Sequence, residues 1–222
     1  MTPELVVLDM AGTTVADDGL VVRAFTTAIG TVGVPEERYA DMLRYVTETM
    51  GQSKITVFRA LLGEETLAQQ ANAAFESAYG ELVAAGECAP LPGAEDVVRR
   101  LREDGVKVAF TTGFAPATQR AILDALGWQD LADLALAPGE GVRGRPFPDL
   151  VLTAALRLGV TDVRRIAVAG DTASDVLCGL RAGASVVAGV LTGAGRRDDF
   201  AGATHVLASV ADLPAVLEGE PR

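Results

Sequence analysis

Residues 5–14 read Leu5-Val6-Val7-Leu8-Asp9-Met10-Ala11-Gly12-Thr13-Thr14. A short apolar run halted by an aspartate and a glycine turn predicts a buried strand of the kind that fills a parallel sheet. Downstream the pattern changes. From about residue 16 to 88 no strand signal appears, and stretches near 20–32, 36–49, 54–62 and 64–85 are rich in Ala, Leu, Glu and Gln, which predicts helices. After Pro92-Gly93 the chain alternates. Ala94, Val97, Val98 and Leu101 define a helix face that Gly105 ends, and Val106 to Phe110 is the next strand. A helix opened by Pro116 and stopped by Gly127 follows. Further strands are predicted at 134–137, 166–169, 185–190 and 205–207, with helices over 148–158, up to about 182, and near 211–218. Strand and helix in alternation predict an α/β fold, a doubly wound parallel, Rossmann-like sheet. The expected organisation is a core of residues 1–15 and 89–222, with residues 16–88 inserted as a helical cap.

The composition narrows the function. The 222 residues carry 30 acidic and 19 basic side chains, a net charge of −11, and no basic stretch breaks that balance. Nucleic acid and anionic membrane are therefore not expected partners. No apolar run reaches the roughly 18 residues of a membrane span. The opening residues lack a basic segment followed by a long apolar one, so no secretory signal is expected. Cys88 and Cys178 form no paired pattern, and the expected setting is the reducing cytoplasm. One histidine, His205, leaves no room for most Ser-His-Asp, Cys-His or poly-His zinc schemes. Of the 19 basic residues only Lys54 and Lys107 are lysines. Each raises the question of why arginine does not serve there.

In open α/β sheets ligands bind beyond the carboxyl ends of the strands. The predicted strand ends deliver Asp9, Thr112 and Asp171, a loop before a helix delivers Arg145, and Asp175 follows Asp171 by one helical turn. Carboxylates converging on one sheet edge repel each other unless a cation intervenes, and hard oxygen ligands suit Mg²⁺. A hydroxyl and a guanidinium beside them suit a phosphoryl group.

Four segments, Asp9 to Thr14, Thr112, Arg145-Pro146 and Gly170-Asp171 through Asp175, resemble in order the four motifs of the haloacid-dehalogenase superfamily, and the helical insertion resembles its C1-type cap. The resemblance implies that Asp9 is a nucleophile forming an aspartyl-phosphate. It implies a Mg²⁺ site made by Asp9, the Ala11 carbonyl, Asp171 and Asp175, the last acting through water or as a hydrogen-bond partner, and phosphoryl binding by Thr112 and Arg145. Thr13, Gly51 and Gly113 are the further substrate-binding residues it implies. Phosphatases of the superfamily usually carry aspartate two residues after the nucleophile, as the acid for an alkoxide leaving group. Here that residue is Ala11. Asp9-Met10-Ala11-Gly12-Thr13-Thr14 resembles the phosphonatase branch, and Met50-Gly51-Gln52-Ser53-Lys54 resembles its cap segment. That implies catalysis by an imine at Lys54, a chemistry closed to arginine, which stays protonated. The chain departs from that branch at Val57, Phe114 and Leu20, where histidine, tyrosine and cysteine are usual.

The expected function is thus Mg²⁺-dependent cleavage of a small phosphonate, phosphonoacetaldehyde or a related phosphono-aldehyde. The alternative is a phosphomonoester phosphatase, similar to phosphoglycolate phosphatases, acting on a small phosphorylated metabolite. A phospho-accepting receiver domain fits less well, being smaller and lacking a cap, and the Asp171/Asp175 pair disfavours a dehalogenase. A monomer or homodimer is expected. Plain structural roles are assigned to His205, beside a late strand, and to Cys88 and Cys178, packed as small apolar residues. Asp17 and Asp18 read as a solvated hinge pair, and Gly193-Ala194-Gly195 reads as a loop.

Overall fold

Leu5–Asp9 (β1) is buried along its whole length because it lies inside a six-stranded parallel sheet. The other strands are Lys107–Thr111 (β2), Leu134–Leu136 (β3), Ile166–Gly170 (β4), Val186–Val190 (β5) and His205–Leu207 (β6). Their order is β3-β2-β1-β4-β5-β6. The computed structural model describes residues 3–139 and 141–219, so residues 1–2 and 220–222, the outer ends of the expected core, lie outside it.

Side chains alternate along each strand, and both faces of the sheet are covered. Val6 and Leu8 point to one core and Leu5 and Val7 to the other. The second core is closed by Asp149–Arg157 (α7) and Ala173–Ala182 (α8) through Leu150, Val151, Ala154 and Cys178. The first is closed by Ala94–Glu103 (α5), Pro116–Leu126 (α6) and Leu213–Glu218 (α9).

Four helices lie between β1 and α5: Leu20–Thr31 (α1), Tyr39–Glu48 (α2), Lys54–Leu62 (α3) and Glu65–Ala84 (α4). Among them aromatic side chains form a continuous stack. Phe25 lies 4.9 Å from Phe58, Phe58 lies 6.2 Å from Phe75, and Phe75 and Tyr79 meet Phe114 at 6.2 and 4.5 Å. Phe114 belongs to the loop after β2, so the stack ties the insertion to the sheet edge. Such pairs add about 0.5–1.5 kcal/mol each beyond burial.

The strand order reverses direction between β1 and β4, the place where open α/β sheets bind ligands. Among the described residues no helix is long and apolar enough to cross a membrane.

Candidate active site

The two strands at the reversal end in carboxylates. Asp9 closes β1 and Asp171 follows β4 directly. Asp175 reaches the same place from the first turn of α8. It is part of a reciprocal cap: Thr172 N–H and Oγ1 donate to its Oδ2 at 3.0 and 2.5 Å, and Asp175 N–H donates to Thr172 Oγ1 at 3.2 Å. All three acids are buried and offer oxygens within 4.8 Å of one another. A single guanidinium sits among them. Arg145, 4% exposed, places Nη1 2.6 Å from Asp9 Oδ1 and also pairs with Asp175 Oδ1.

That arrangement is short of positive charge. Burial, and then the Asp9 carboxylate, raise the Asp171 carboxyl to about 7 despite the Ala194 N–H that donates to its Oδ2 at 2.8 Å. Three oxygen-only donors facing one arginine fit a hard divalent cation. The guanidinium in turn has unmet capacity: Nη1 is taken up by the two carboxylates, but Arg145 Nε is buried with no hydrogen-bond partner among the described residues. An oxygen of a tetrahedral oxyanion would satisfy it.

Close backbone approach shapes the rest. A Cβ at Gly12 or Gly193 would collide with the Asp171 carboxylate, so glycine at both positions lets the chain wrap that side chain. The Gly193–Gly195 segment is a loop, as its sequence predicts, and its role lies in Ala194 N–H and in Gly195 N–H, which donates to Asp171 O at 2.8 Å. Thr13 Oγ1 donates to Asp171 Oδ1 at 3.2 Å. Thr13 therefore holds Asp171 from behind and does not line the cavity over the strand ends.

That cavity encloses about 390 Å³, its mouth included, and collects most residues singled out in the sequence: Asp9, Ala11, Gly51, Lys54, Thr112, Gly113, Arg145 and Asp171. Asp175 is set back behind Arg145. The cavity roof is the segment before α3. Gly51 takes a left-handed φ of 82° and packs on Thr172, and Lys54 N–H donates to the Gly113 carbonyl at 3.3 Å.

Lys54 is 7% exposed. Its ammonium lies 5.3 Å from the Phe114 ring centre and 5.8 Å from that of Phe75. Burial above all, with Arg145 adding to it, brings the ammonium down to about 8 against the opposing pull of Asp17, Asp9 and Glu76. Val57, Leu20 and Phe114 are all buried apolar residues of one core, and it is the Phe114 and Phe75 rings that flank the ammonium.

Three residues of this neighbourhood were not legible as site residues. Asp17 is not solvated: it is half-buried in the cavity wall, and only Asp18 of the pair is exposed, with a left-handed φ of 40°. Glu76 on α4 pairs with Thr118 and accepts from Ala115 N–H at 3.4 Å, bridging the insertion to α6. The Tyr79 hydroxyl is buried with no hydrogen-bond partner among the described residues. A helix of 20 residues whose apolar and polar positions mix gives little sequence signal of which side chains will face a neighbouring loop. His205 lies in β6, its ring Nδ1 2.9 Å from Thr204 Oγ1, and both cysteines are buried and free.

Known proteins are similar to the whole chain. The phosphonoacetaldehyde hydrolase of Bordetella pertussis is 29% identical, with 96% of this chain and 91% of that protein aligned. A protein of Dickeya dadantii named "Probable phosphatase IndB" is 29% identical over 82% of this chain and 79% of its own. The crystal structure of a phosphonoacetaldehyde hydrolase-like protein from Oleispira antarctica superposes with a TM-score of 0.82 at 26% identity, covering 100% of this chain and 96% of that one. The family model for haloacid dehalogenase-like hydrolases matches residues 3–183, a span that holds both strand-end aspartates, the helical insertion and Arg145, and the chain belongs to that family of hydrolases.

Proposed function

We propose that this protein is a phosphonatase-like hydrolase that cleaves the P–C bond of a small phosphono-aldehyde. Residues 16–88 act as its cap over a core of residues 1–15 and 89–222. The observation that carries the reading is Lys54: a lysine buried against aromatic rings and pushed down to about 8, lining one cavity with Asp9 and Arg145. A dried lysine of that kind is neutral, and so nucleophilic, in roughly a tenth of molecules at pH 7, far more than an ordinary lysine titrating at about 10.4. Ala11 in place of an acid agrees with a leaving carbon that needs no proton from that position.

Each residue then has a task. The neutral Lys54 amine adds to the aldehyde carbon and loses water, giving an iminium. Asp9 Oδ attacks phosphorus, and the P–C electron pair flows into the iminium, leaving an enamine on Lys54 and a phosphoryl group on Asp9. Water then divides the acyl phosphate into carboxylate and phosphate, and the protonated enamine hydrolyses to free aldehyde and amine. Thr112 and the Arg145 guanidinium, with its free Nε, hold the phosphoryl oxygens, and Gly113 and Gly51 let the cap segment close over them. Asp9, the Ala11 carbonyl and Asp171 would hold Mg²⁺, with Asp175 supporting Arg145; the ion supplies charge neutralisation that lets a carboxylate approach a phosphoryl group.

The second reading is hydrolysis of a small phosphomonoester, and the relative named as a phosphatase favours it. A product assay separates the two. Incubation with phosphonoacetaldehyde releases acetaldehyde and phosphate in equal amounts if the first reading holds. Phosphate release from phosphoglycolate or sugar phosphates, with none from phosphonoacetaldehyde, selects the second.

A further inference from the structure

Forming an iminium from an amine and an aldehyde requires an acid, because the carbinolamine oxygen leaves only as water. The ionisable side chains lining the cavity are Asp9, Asp17, Lys54, Arg145 and Asp171. Asp9 and Arg145 are paired with each other, and Asp171 is held by Thr13 and Ala194 in the acidic cluster. Glu76 also feels Lys54, but both its oxygens are engaged by Ala115 and Thr118, and it does not line the cavity. Asp17 is the group left over.

Its setting suits the task. Asp17 Oδ1 accepts the Val21 N–H at 3.1 Å, which anchors the carboxyl at the start of α1. Oδ2 has no hydrogen-bond partner among the described residues. Its burial raises the carboxyl, with the Val21 N–H and then Lys54 pulling the other way. Lys54 in turn feels Asp17 more than any other charged group. Leu20 and Val57 offer no proton.

Resting on the imine reading of Lys54, we infer that Asp17 is a catalytic residue, the acid–base partner that builds and dismantles the Lys54 imine. The balance is Lys54–NH₂ + Asp17–COOH + R–CHO → Lys54–NH⁺=CH–R + Asp17–COO⁻ + H₂O. The C–N bond forms, the C–O bond breaks, and the Asp17 proton departs in the water. The carboxylate so formed lines the same cavity as the new iminium and offsets its charge. This gives the cavity two ends: a phosphoryl end at Asp9 and Arg145, and a carbonyl end at Lys54 and Asp17.

The test uses acetaldehyde, which carries no phosphorus and so leaves Asp9 out of the reaction. Two rates are followed: cyanoborohydride-dependent labelling of Lys54, and deuterium entry into the acetaldehyde methyl group, which reports the enamine. Asp17→Asn keeps an oxygen for the Val21 N–H, and Asp17→Ser also caps a helix; neither is an acid. Both rates should fall about 100-fold in each variant, the usual scale of a lost acid–base group, and Asp17→Glu should recover at least a tenth of the wild-type rate. Labelling of either neutral variant at the wild-type rate overturns the inference while leaving the imine intact. Absence of label in the wild type overturns the Lys54 reading itself, and the role of Asp17 with it.

Discussion

The Lys54 backbone N–H donates to the carbonyl of Gly113, 3.3 Å away, so the residue that carries the amine and the loop that presents Thr112 are joined through main chain. Position of the lysine is thereby tied to the phosphoryl end without depending on any flexible side chain. A Cβ at Gly113 would fall 2.5 Å from the Gln52 carbonyl oxygen and 2.9 Å from that of Gly51, both backbone atoms.

Gly113→Ala should therefore push the cap segment off the strand end. A displacement of about an ångström can cost on the order of 100-fold in rate. We expect kcat/KM to fall by about 10- to 100-fold while thermal unfolding shifts by only a few degrees, since the sheet and the aromatic stack remain. Steady-state kinetics beside a thermal melt checks this. Unchanged kinetics would mean that the contact is not needed for turnover.

Lysine 54 sets a pH dependence whose sign follows from its burial. The amine must be neutral to attack, and its ammonium is pushed down from 10.5 to about 8. With Asp17 as the required acid, the wild-type rate of imine formation should fall above about 8, because the acid goes on losing its proton once the amine is neutral. In Asp17→Asn only the amine titrates, and the slower rate should rise with pH and level off above about 8. Rates of reductive labelling from pH 6 to 10 read this directly. Lys54→Arg should keep the positive charge and lose at least about 1000-fold in P–C cleavage, because arginine does not give up its proton.

The acidic cluster predicts the response to metal. Chelation by EDTA should bring turnover to background, and added Mg²⁺ should restore it. Asp171→Asn removes one of three crowded charges while its amide can still serve Thr13 and Ala194. The metal-free variant should melt at or above the wild-type temperature, because a buried carboxylate without a cation destabilises the fold. Its melting temperature should no longer rise with Mg²⁺.

Most of the sheet was legible because its signals are local. Leu5 to Leu8 can only be a two-faced buried strand, and Asp9, Asp171 and Arg145 stand at predictable ends of elements. Gly51 and Gly113 read locally only as turn residues, and their place at the site came from the family resemblance. What lay hidden depended on packing across the chain. Asp17 next to exposed Asp18 looks like any polar hinge until α3 brings Lys54 over it. Tyr79 and Glu76 lie on a long helix, and only its docking against Phe114 and Thr118 gives them a place near the cavity. Gly193 and Gly195 carry no fingerprint, since their purpose is to leave room for an aspartate 22 and 24 residues earlier in the chain.

The nucleophile has its own signature. Asp9→Asn should abolish phosphate release, yet leave reductive labelling of Lys54 by acetaldehyde within a few-fold of wild type, because the imine forms without it. Loss of both activities together would mean that Asp9 also serves the carbonyl end. Product analysis and mass spectrometry of the same samples answer the question.

The central claim is that Lys54 becomes covalently bound to substrate. Adding borohydride during turnover of phosphonoacetaldehyde tests it most directly, with peptide mass spectrometry as the readout. The account predicts progressive inactivation and a two-carbon adduct on the peptide carrying Lys54, absent in Lys54→Arg. Full activity after borohydride, no adduct, and a Lys54→Ala variant that still hydrolyses phosphomonoesters would contradict it.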